Sequence, residues 1–146
     1  MLGEHTIVTQ SEAETAGVGR QLAARLSAGA VLLLFGDLGA GKTAFVRGLA
    51  DGLRAGADEV SSPTFTIMQE YRGGRLPLFH VDLYRLDDPR EVDELGLDEV
   101  TAEGILAVEW AERWLEPPAD AIGIRIDHVG ESERRITLSG SSALPS

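Results

Sequence analysis

One stretch of the sequence combines glycine, lysine and threonine in a pattern that binds phosphate. Residues 36–43, GDLGAGKT, match G-x-x-x-x-G-K-[S/T], the motif known as a P-loop. Its glycines allow the backbone to curl so that successive N–H groups point inward and form a nest for an anion. Lys42 supplies a point cation for the β- and γ-phosphates, and the Thr43 hydroxyl can ligate Mg²⁺. We therefore predict that the chain binds a nucleoside triphosphate.

Two features of the composition bear on phosphate binding and on the choice between ATP and GTP. Lys42 is the only lysine among the 13 basic residues, which is informative because arginine replaces lysine at most solvated positions but not at every functional one. The chain contains no asparagine, so the N-K-x-D element by which GTPases usually select guanine cannot be present. ATP is therefore the predicted nucleotide, by elimination and without a positive signal for adenine.

Two carboxylates end apolar runs and are candidates for the phosphoryl chemistry. ILAVE ends at Glu109, and LFHVD ends at Asp82. A strand that runs into an acid can present the carboxylate beside bound phosphates, where it holds the metal or orients a nucleophile. The alternative for either acid is an ordinary carboxylate at the end of a strand. His80, a lone histidine inside the second run, could be a base, but a lone, partly buried histidine is more often a hydrogen-bonded structural residue, and we favour that interpretation.

Two further positions have open interpretations. The segment 61–64, SSPT, carries hydroxyl groups between the predicted P-loop helix and the next strand. Thr64 could therefore meet the γ-phosphate or a water on Mg²⁺, and a simple turn or strand entry is the alternative. Trp110, next to Glu109, could pack in the core or contact a partner, and the sequence does not separate these two possibilities.

The elements that must position these residues are those of an α/β protein. The apolar run at 30–35 predicts a strand buried on both faces, as in a parallel sheet, and the P-loop helix follows it at 42–53. Gly73-Gly74 and Gly130 predict hairpin turns. The other predicted elements are strands at 6–8, 65–72, 75–82, 104–108, 121–127 and 135–139, a helix at 11–27 that begins at the capping box of Ser11 and Glu14, and a short helix at 89–97.

The expected fold is a compact P-loop α/β fold, in which helices flank a mixed, mainly parallel sheet with antiparallel hairpins. We expect one domain over residues 1–139 and a disordered tail over 140–146. The chain has 146 residues, of which 13 are Lys or Arg and 24 are Asp or Glu, and the net charge of −11 argues against a surface that grips nucleic acid alone. No cysteine, secretory signal or apolar run of about 18 residues is present, which indicates a cytoplasmic protein without membrane contact.

Four segments, in this order and spacing, carry a resemblance to a known family. They are GDLGAGKT (36–43), SPTFT (62–66), HVDLYRL (80–86) and VEW (108–110). They resemble the TsaE family, the bacterial P-loop ATPases of tRNA threonylcarbamoyladenosine biosynthesis. The resemblance covers nearly the whole chain, and the second half of the pattern is specific beyond the generic P-loop. The chain departs from the family's frequent E-W-P at its third position, where Glu109-Trp110 is followed by Ala111.

The resemblance implies a set of functional residues and partners. It implies Mg²⁺ at Thr43 and Glu109, and it places Asp82 and Thr64, with Lys42, at positions that matter for ATP hydrolysis. It also implies that TsaD and TsaB are partners, and that tRNA is engaged only indirectly through their complex. The residues implied to bind ATP are Leu38, Gly39, Ala40, Gly41, Lys42, Thr43 and Ala44 in the P-loop, together with Ser11 and Thr15 near the base.

Two other functions stay open at this point. A small P-loop kinase for a metabolite would need an acceptor pocket and an arginine-rich lid over the phosphates. Arg85 and Arg90 could serve in such a lid, although the segment that carries them is short and acidic. A nucleotide-sensing module with negligible chemistry is the other alternative.

Overall fold

The computed structural model describes residues 3–36, 41–54, 68–85, 90, 96–100, 102–115 and 117–140. Within them a seven-stranded sheet has the order β1-β7-β6-β2-β5-β4-β3. The strands are β1 (Gly3–Thr9), β2 (Val31–Gly36), β3 (Met68–Tyr71), β4 (Leu78–Asp82), β5 (Ile105–Glu109), β6 (Ile122–His128) and β7 (Arg134–Gly140), and the α-helices are α1 (Glu12–Ala23), α2 (Lys42–Leu53) and α3 (Leu97–Val100).

The sheet has parallel strands at its centre and antiparallel strands at its edges. The pairs β6–β2, β2–β5 and β5–β4 are parallel, whereas β1–β7, β7–β6 and β4–β3 are antiparallel. Parallel strands present their carboxyl ends at one edge of the sheet, so β2, β5 and β4 end side by side. The predicted mixed α/β fold with antiparallel hairpins is confirmed.

Apolar side chains cover both faces of the central strands. On one face Leu32 and Leu34 of β2 pack with Phe45 and Leu49 of α2. On the other face Val31 and Leu33 pack with residues that include Leu97 of α3 and Trp114. Alternate residues of β2 therefore enter two different cores, which explains why its sequence is an unbroken apolar run.

Helices α1 and α2 lie against each other through small residues. A methyl group added at Gly48 would overlap the carbonyl oxygen of Ala16, and one at Gly52 would lie 2.7 Å from the Cβ of Ala23. At the start of α1, the Ser11 hydroxyl accepts from the Glu14 N–H at 3.1 Å, while the Glu14 carboxylate accepts from the Gln10 N–H at 2.8 Å. The predicted helix start is confirmed, and the helix ends at Ala23 rather than at residue 27.

The close contact of the two helices makes Gly48 a sensitive position. Gly48→Ala should gain about 1 kcal/mol of helix propensity, but overpacking typically costs about 1–3 kcal/mol. We expect the upper end to apply, because the three atoms nearest the new methyl group are all backbone atoms of Ala16. A loss of about 2 kcal/mol should lower the melting temperature by roughly 4–8 °C in a calorimetric scan. Gly17→Ala in α1 is the matched control, because its methyl group would meet only the Arg20 side chain at 3.9 Å and should stabilise the helix. A melting temperature that falls equally for both variants would contradict this prediction.

The connection between β3 and β4 differs from the prediction. The last paired residues are Tyr71 and Leu78, so the turn is longer than the two residues expected at Gly73-Gly74. The reason is a tertiary contact: the Arg75 N–H donates to the carbonyl oxygen of Leu53 at 2.7 Å, so the turn is hydrogen-bonded to the end of α2.

Arg72, which follows β3, forms an ion pair on the surface. The carboxylates of Glu70 and Glu103 accept hydrogen bonds from its guanidinium and raise the pKa of that group above its usual range.

Two other predicted strands are longer in the structure than expected, and two further predictions concern segments outside the described residues. The first strand is longer than 6–8 because β1 pairs with β7 along its whole length, and Gly140, expected in the tail, ends β7. The rest of the predicted tail, 141–146, and most of the predicted helix at 89–97 lie outside the described residues. No helix in the described part of the chain is both long enough and apolar enough to cross a membrane.

Candidate nucleotide site

Two glycines frame the P-loop. Gly36, at the end of β2, has a φ of 125°, and Gly41, the N-cap of α2, has a φ of 101°. Both values lie in the region that favours glycine. A methyl group at Gly36 would also overlap the backbone of Ile126 in β6. The predicted binding residues Leu38, Gly39 and Ala40 lie outside the described residues, but the strand and the 12-residue helix that must hold them are in place.

Lys42 has an unusual environment for a lysine. Lys42 is the first residue of α2, and it is only 5% exposed. Within the described residues, the contacts of its ammonium are a long hydrogen bond of 3.5 Å to the carbonyl oxygen of Gly36 and the ring of Trp110, whose centroid lies 5.9 Å away. A buried ammonium costs free energy unless it is fully paired. This environment is therefore suited to a bound anion that pairs with the ammonium. Thr43 is half-buried and Ala44 is buried beside it.

The two predicted carboxylates come together at the carboxyl edge of the sheet. Asp82 and Glu109 are register partners in β4 and β5, and Glu109 also pairs with Leu34 of β2, two residues before Gly36. Register partners point to the same face, and Leu34 faces α2, so both carboxylates lie on the face of the P-loop helix. The half-buried Asp82 accepts a hydrogen bond from the Tyr84 N–H at 2.9 Å, which closes the local turn.

His80 and Glu109 form a buried pair. The Nε2 atom of His80 lies 2.6 Å from Oε2 of Glu109, and the two residues are 0% and 5% exposed. Because an ionised carboxylate can only accept, we assign the hydrogen to Nε2 of the imidazole. His80 is thus hydrogen-bonded and buried, as expected from the sequence. The sequence pattern does not predict its pairing with Glu109.

Trp110 forms an aromatic cluster with Tyr84 and Arg113. Its backbone has a φ of 57°, which is uncommon for a residue other than glycine. Its ring centroid lies 4.8 Å from that of Tyr84, and the Arg113 guanidinium lies 5.7 Å from the Tyr84 ring and 6.0 Å from the Trp110 ring. Trp110 is half-buried, with the Lys42 ammonium near its ring, so it separates the P-loop lysine from an exposed tyrosine.

A cavity of about 210 Å³ adjoins Gly41. It lies between the start of α1, the start of α2 and the hairpin that joins β6 and β7. The Thr15 hydroxyl is hydrogen-bonded to that of Thr9 at 2.7 Å, and Ser11 caps α1, so both hydroxyls have partners within the protein. The lining residues are Ser11, Glu12, Thr15, Gly41, Glu131, Ser132 and Arg134.

The structure brings most of the sequence-predicted site residues together in two groups. Ser11 and Thr15 meet Gly41 at the cavity, while Lys42, Asp82 and Glu109 lie at the carboxyl edge of the central strands. Thr64 lies outside the described residues, so its role stays a prediction. Sequence reasoning missed Arg134, whose guanidinium donates to the carbonyl oxygens of Gly130, Glu131 and Glu133 and lies near Gly41. No sequence pattern connects a hairpin arginine to a P-loop, so no signal was available for it.

The oxygen donors beside the P-loop fit a Mg²⁺ ion that binds together with the phosphates of a nucleotide. The described residues contain no group of three or more His, Cys, Asp or Glu side chains able to hold a metal. Mg²⁺ at nucleotide sites is usually held by the phosphates, waters and only one or two protein oxygens. The Thr43 hydroxyl and the Glu109 carboxylate are oxygen donors of the kind that Mg²⁺ prefers.

Comparison with known proteins gives a consistent result. The family model "Threonylcarbamoyl adenosine biosynthesis protein TsaE" matches residues 9–136. The tRNA threonylcarbamoyladenosine biosynthesis protein TsaE of Bacillus subtilis is 45% identical over 133 residues, which cover 90% of this chain and 82% of that protein. The protein of the same name from Nostoc is 43% identical over 131 residues, which cover 86% of this chain and 79% of that protein.

The fold is similar as well. A crystal structure of YdiB from Bacillus subtilis superposes with a TM-score of 0.77 and 38% sequence identity. The superposition covers 97% of this chain and 88% of YdiB. Since the family model spans the P-loop, both carboxylate strands and β6, the chain belongs to the TsaE family of tRNA threonylcarbamoyladenosine biosynthesis proteins.

Proposed function

We propose that the chain is a Mg²⁺-dependent ATPase that supports threonylcarbamoyladenosine formation in tRNA by acting on the TsaB–TsaD threonylcarbamoyl transferase. The observation that carries the ATPase proposal is the buried Lys42 ammonium, which lies at the start of α2 between Gly36 and Trp110. A cation and a helix N-terminus in one place favour the binding of phosphate groups. Membership of the family supports the proposal of these partners, and the tRNA-modification role supports the proposal of a cytoplasmic location.

The proposed binding mode divides the nucleotide between the two groups of site residues. Lys42 holds the β- and γ-phosphates, while the backbone of residues 38–44 surrounds them. The base occupies the cavity beside Ser11, Thr15 and Arg134. At about 210 Å³ this cavity is smaller than the roughly 300–1,000 Å³ of a site for a whole ligand, so it suits one ring system rather than an entire nucleotide.

The proposed chemistry assigns separate tasks to the carboxyl edge of the sheet. Glu109 and Thr43 hold Mg²⁺, which when bound neutralises charge on the transferring phosphoryl group. Asp82, which lies beside Glu109 in the sheet, or Thr64 orients the attacking water. Catalysis then depends on positioning and on stabilising charge, since phosphoryl transfer requires little covalent chemistry from the protein.

The charge distribution supports indirect contact with tRNA. The chain has a net charge of −11, and several of its arginines are paired with acids on the surface: Arg20 with Asp51, Arg72 with Glu70 and Glu103, and Arg125 with Asp127. A protein that binds nucleic acid through its backbone needs unneutralised cations facing the phosphates. Partner proteins are therefore the more suitable route to the tRNA.

The decisive experiment measures ATP hydrolysis by the chain alone, with TsaB and TsaD, and with tRNA added. We expect slow release of inorganic phosphate by the chain alone and faster release with the partners. Phosphate that appears on an added small metabolite instead of in solution would favour a kinase. Binding of the partners that depends on ATP or ADP, with no turnover even in the full complex, would favour a nucleotide-sensing module.

Tryptophan fluorescence offers a direct report of nucleotide binding. Because the Lys42 ammonium lies 5.9 Å from the Trp110 ring, its movement toward bound phosphates should change the emission of Trp110 when ATP and Mg²⁺ are added. The change should vanish in Trp110→Phe and survive in Trp114→Phe, since the Lys42 ammonium lies near the ring of Trp110, whereas Trp114 is buried in the apolar core. The reverse pattern would move the nucleotide away from Glu109 and Trp110.

A further inference from the structure

A buried histidine holds the carboxylate to which the proposed function assigns Mg²⁺. In the register of the sheet, His80 pairs with Ala107 and Asp82 pairs with Glu109. The Glu109 side chain therefore reaches back along β4 by two positions to meet Nε2 of His80 at 2.6 Å. This bond fixes Oε2, and with it the plane of the carboxylate, at the end of β5.

The second nitrogen of His80 shows that packing alone does not explain this residue. Nδ1 is buried and has no hydrogen-bond partner in the part of the chain that the structure describes. An unpaired buried polar atom costs free energy, because it has lost its hydrogen bonds to water, and an apolar side chain of similar size would avoid that cost. The contact that compensates for it is the charge-assisted bond to Glu109, which is of the stronger class of hydrogen bonds.

We propose that His80 is a positioning residue for the Mg²⁺–ATP complex, and that its Nε2–H orients the Glu109 carboxylate toward the metal. The inference rests on the proposed function, because it requires Glu109 to be a metal ligand. Groups that orient a ligating carboxylate typically change metal affinity or activity by 10–100-fold when they are removed. His80 is fully buried and acts through Glu109, so it has no direct contact with the nucleotide.

Two amide variants separate positioning from packing. A glutamine amide nitrogen can take the place of Nε2, whereas the asparagine side chain is one methylene shorter and cannot reach Glu109. We expect His80→Asn to weaken Mn²⁺ uptake by the chain with ATP present by about 10–100-fold, measured by electron paramagnetic resonance of free Mn²⁺. His80→Gln should stay within about threefold of the wild type, because it restores the donor to Glu109.

Two controls test whether the effect passes through Glu109. Phe79→Leu removes volume from a fully buried neighbour on the other face of β4, so it should lower stability and leave Mn²⁺ uptake unchanged. Glu109→Gln should itself weaken uptake, and the double variant of His80→Asn with Glu109→Gln should be no weaker than Glu109→Gln alone, since residues that act through one contact are not additive.

The outcomes decide between the two levels of the proposal. If the wild-type chain takes up no Mn²⁺ with ATP, both the proposed function and the role of His80 are wrong. If the wild type takes up Mn²⁺ and His80→Asn does so equally well, only the role of His80 is wrong. The same holds if the loss of Mn²⁺ affinity in the double variant equals the sum of the losses in the two single variants, expressed as free energies. Where His80→Asn does not fold, His80→Gln decides: uptake as weak as that of Glu109→Gln overturns the inference, and wild-type uptake supports it.

Discussion

Lys42→Ala is expected to weaken ATP binding by roughly a thousandfold. Two unit charges about 4 Å apart interact by about 4 kcal/mol at the effective dielectric constant of about 20 that suits protein sites, and each 1.4 kcal/mol is a factor of ten in affinity. Lys42 is 5% exposed and is the first residue of α2, so water screens its charge poorly and it lies where phosphates are expected. Titration calorimetry with ATP measures the loss directly.

The matched control removes the same charge from the same helix. Arg47 is an exposed residue of α2, and Arg47→Ala should leave ATP affinity within about threefold of the wild type, because exposed charges are screened by solvent and salt. Stability gives an independent check. Lys42→Ala removes a buried ammonium that, within the described residues, has one long hydrogen bond, so the free energy of unfolding should not fall. Equal affinities for the two variants would contradict the assignment of Lys42 to the phosphates.

The elements that carry the P-loop could be predicted from sequence because local rules determine them. The run at 30–35 is apolar at every position because its residues enter two cores, and the helix 42–53 was predicted with the bounds it has. The length of the turn at Gly73-Gly74 could not be predicted correctly, because the turn is held against the end of α2 by the hydrogen bond from the Arg75 N–H to the Leu53 carbonyl oxygen. That contact joins residues that are distant in sequence, and no local pattern encodes it.

The same distinction applies to the site. Glu109 and Asp82 were found because each ends an apolar strand, and the parallel pairing of β5 with β4 then makes them neighbours. The bond from His80 to Glu109 depends on the register of that pairing, and the approach of Arg134 to Gly41 depends on where the last hairpin lies relative to the starts of α1 and α2. Residue types predict which groups can do chemistry, whereas the contacts that orient them follow from the tertiary structure.

The second large expected effect is on turnover. Glu109→Gln keeps the size of the side chain and an oxygen that accepts from Nε2 of His80, but it removes the negative charge. We expect ATP hydrolysis in the presence of TsaB and TsaD to fall by about 100-fold or more, in line with the removal of one preorganised electrostatic contact from an active site. Binding of ATP without Mg²⁺ should be unchanged or tighter, since one negative charge near the phosphates has been lost.

The prediction for Glu109→Gln is specific, because turnover should fall while ATP binding without Mg²⁺ should not weaken. Glu112→Gln is the same chemical change at an exposed residue three positions away, and it should alter neither turnover nor binding. Asp82→Asn distinguishes the tasks of the two neighbouring carboxylates: if Asp82 orients the attacking water, turnover falls while the Mg²⁺ concentration for half-maximal ATP binding stays the same. Normal hydrolysis by Glu109→Gln with its partners present would show that the metal is held elsewhere. A loss of Mg²⁺-free ATP binding would show instead that Glu109 supports the fold of the P-loop rather than the metal, because a ligand of the metal has no favourable contact with the nucleotide when the metal is absent.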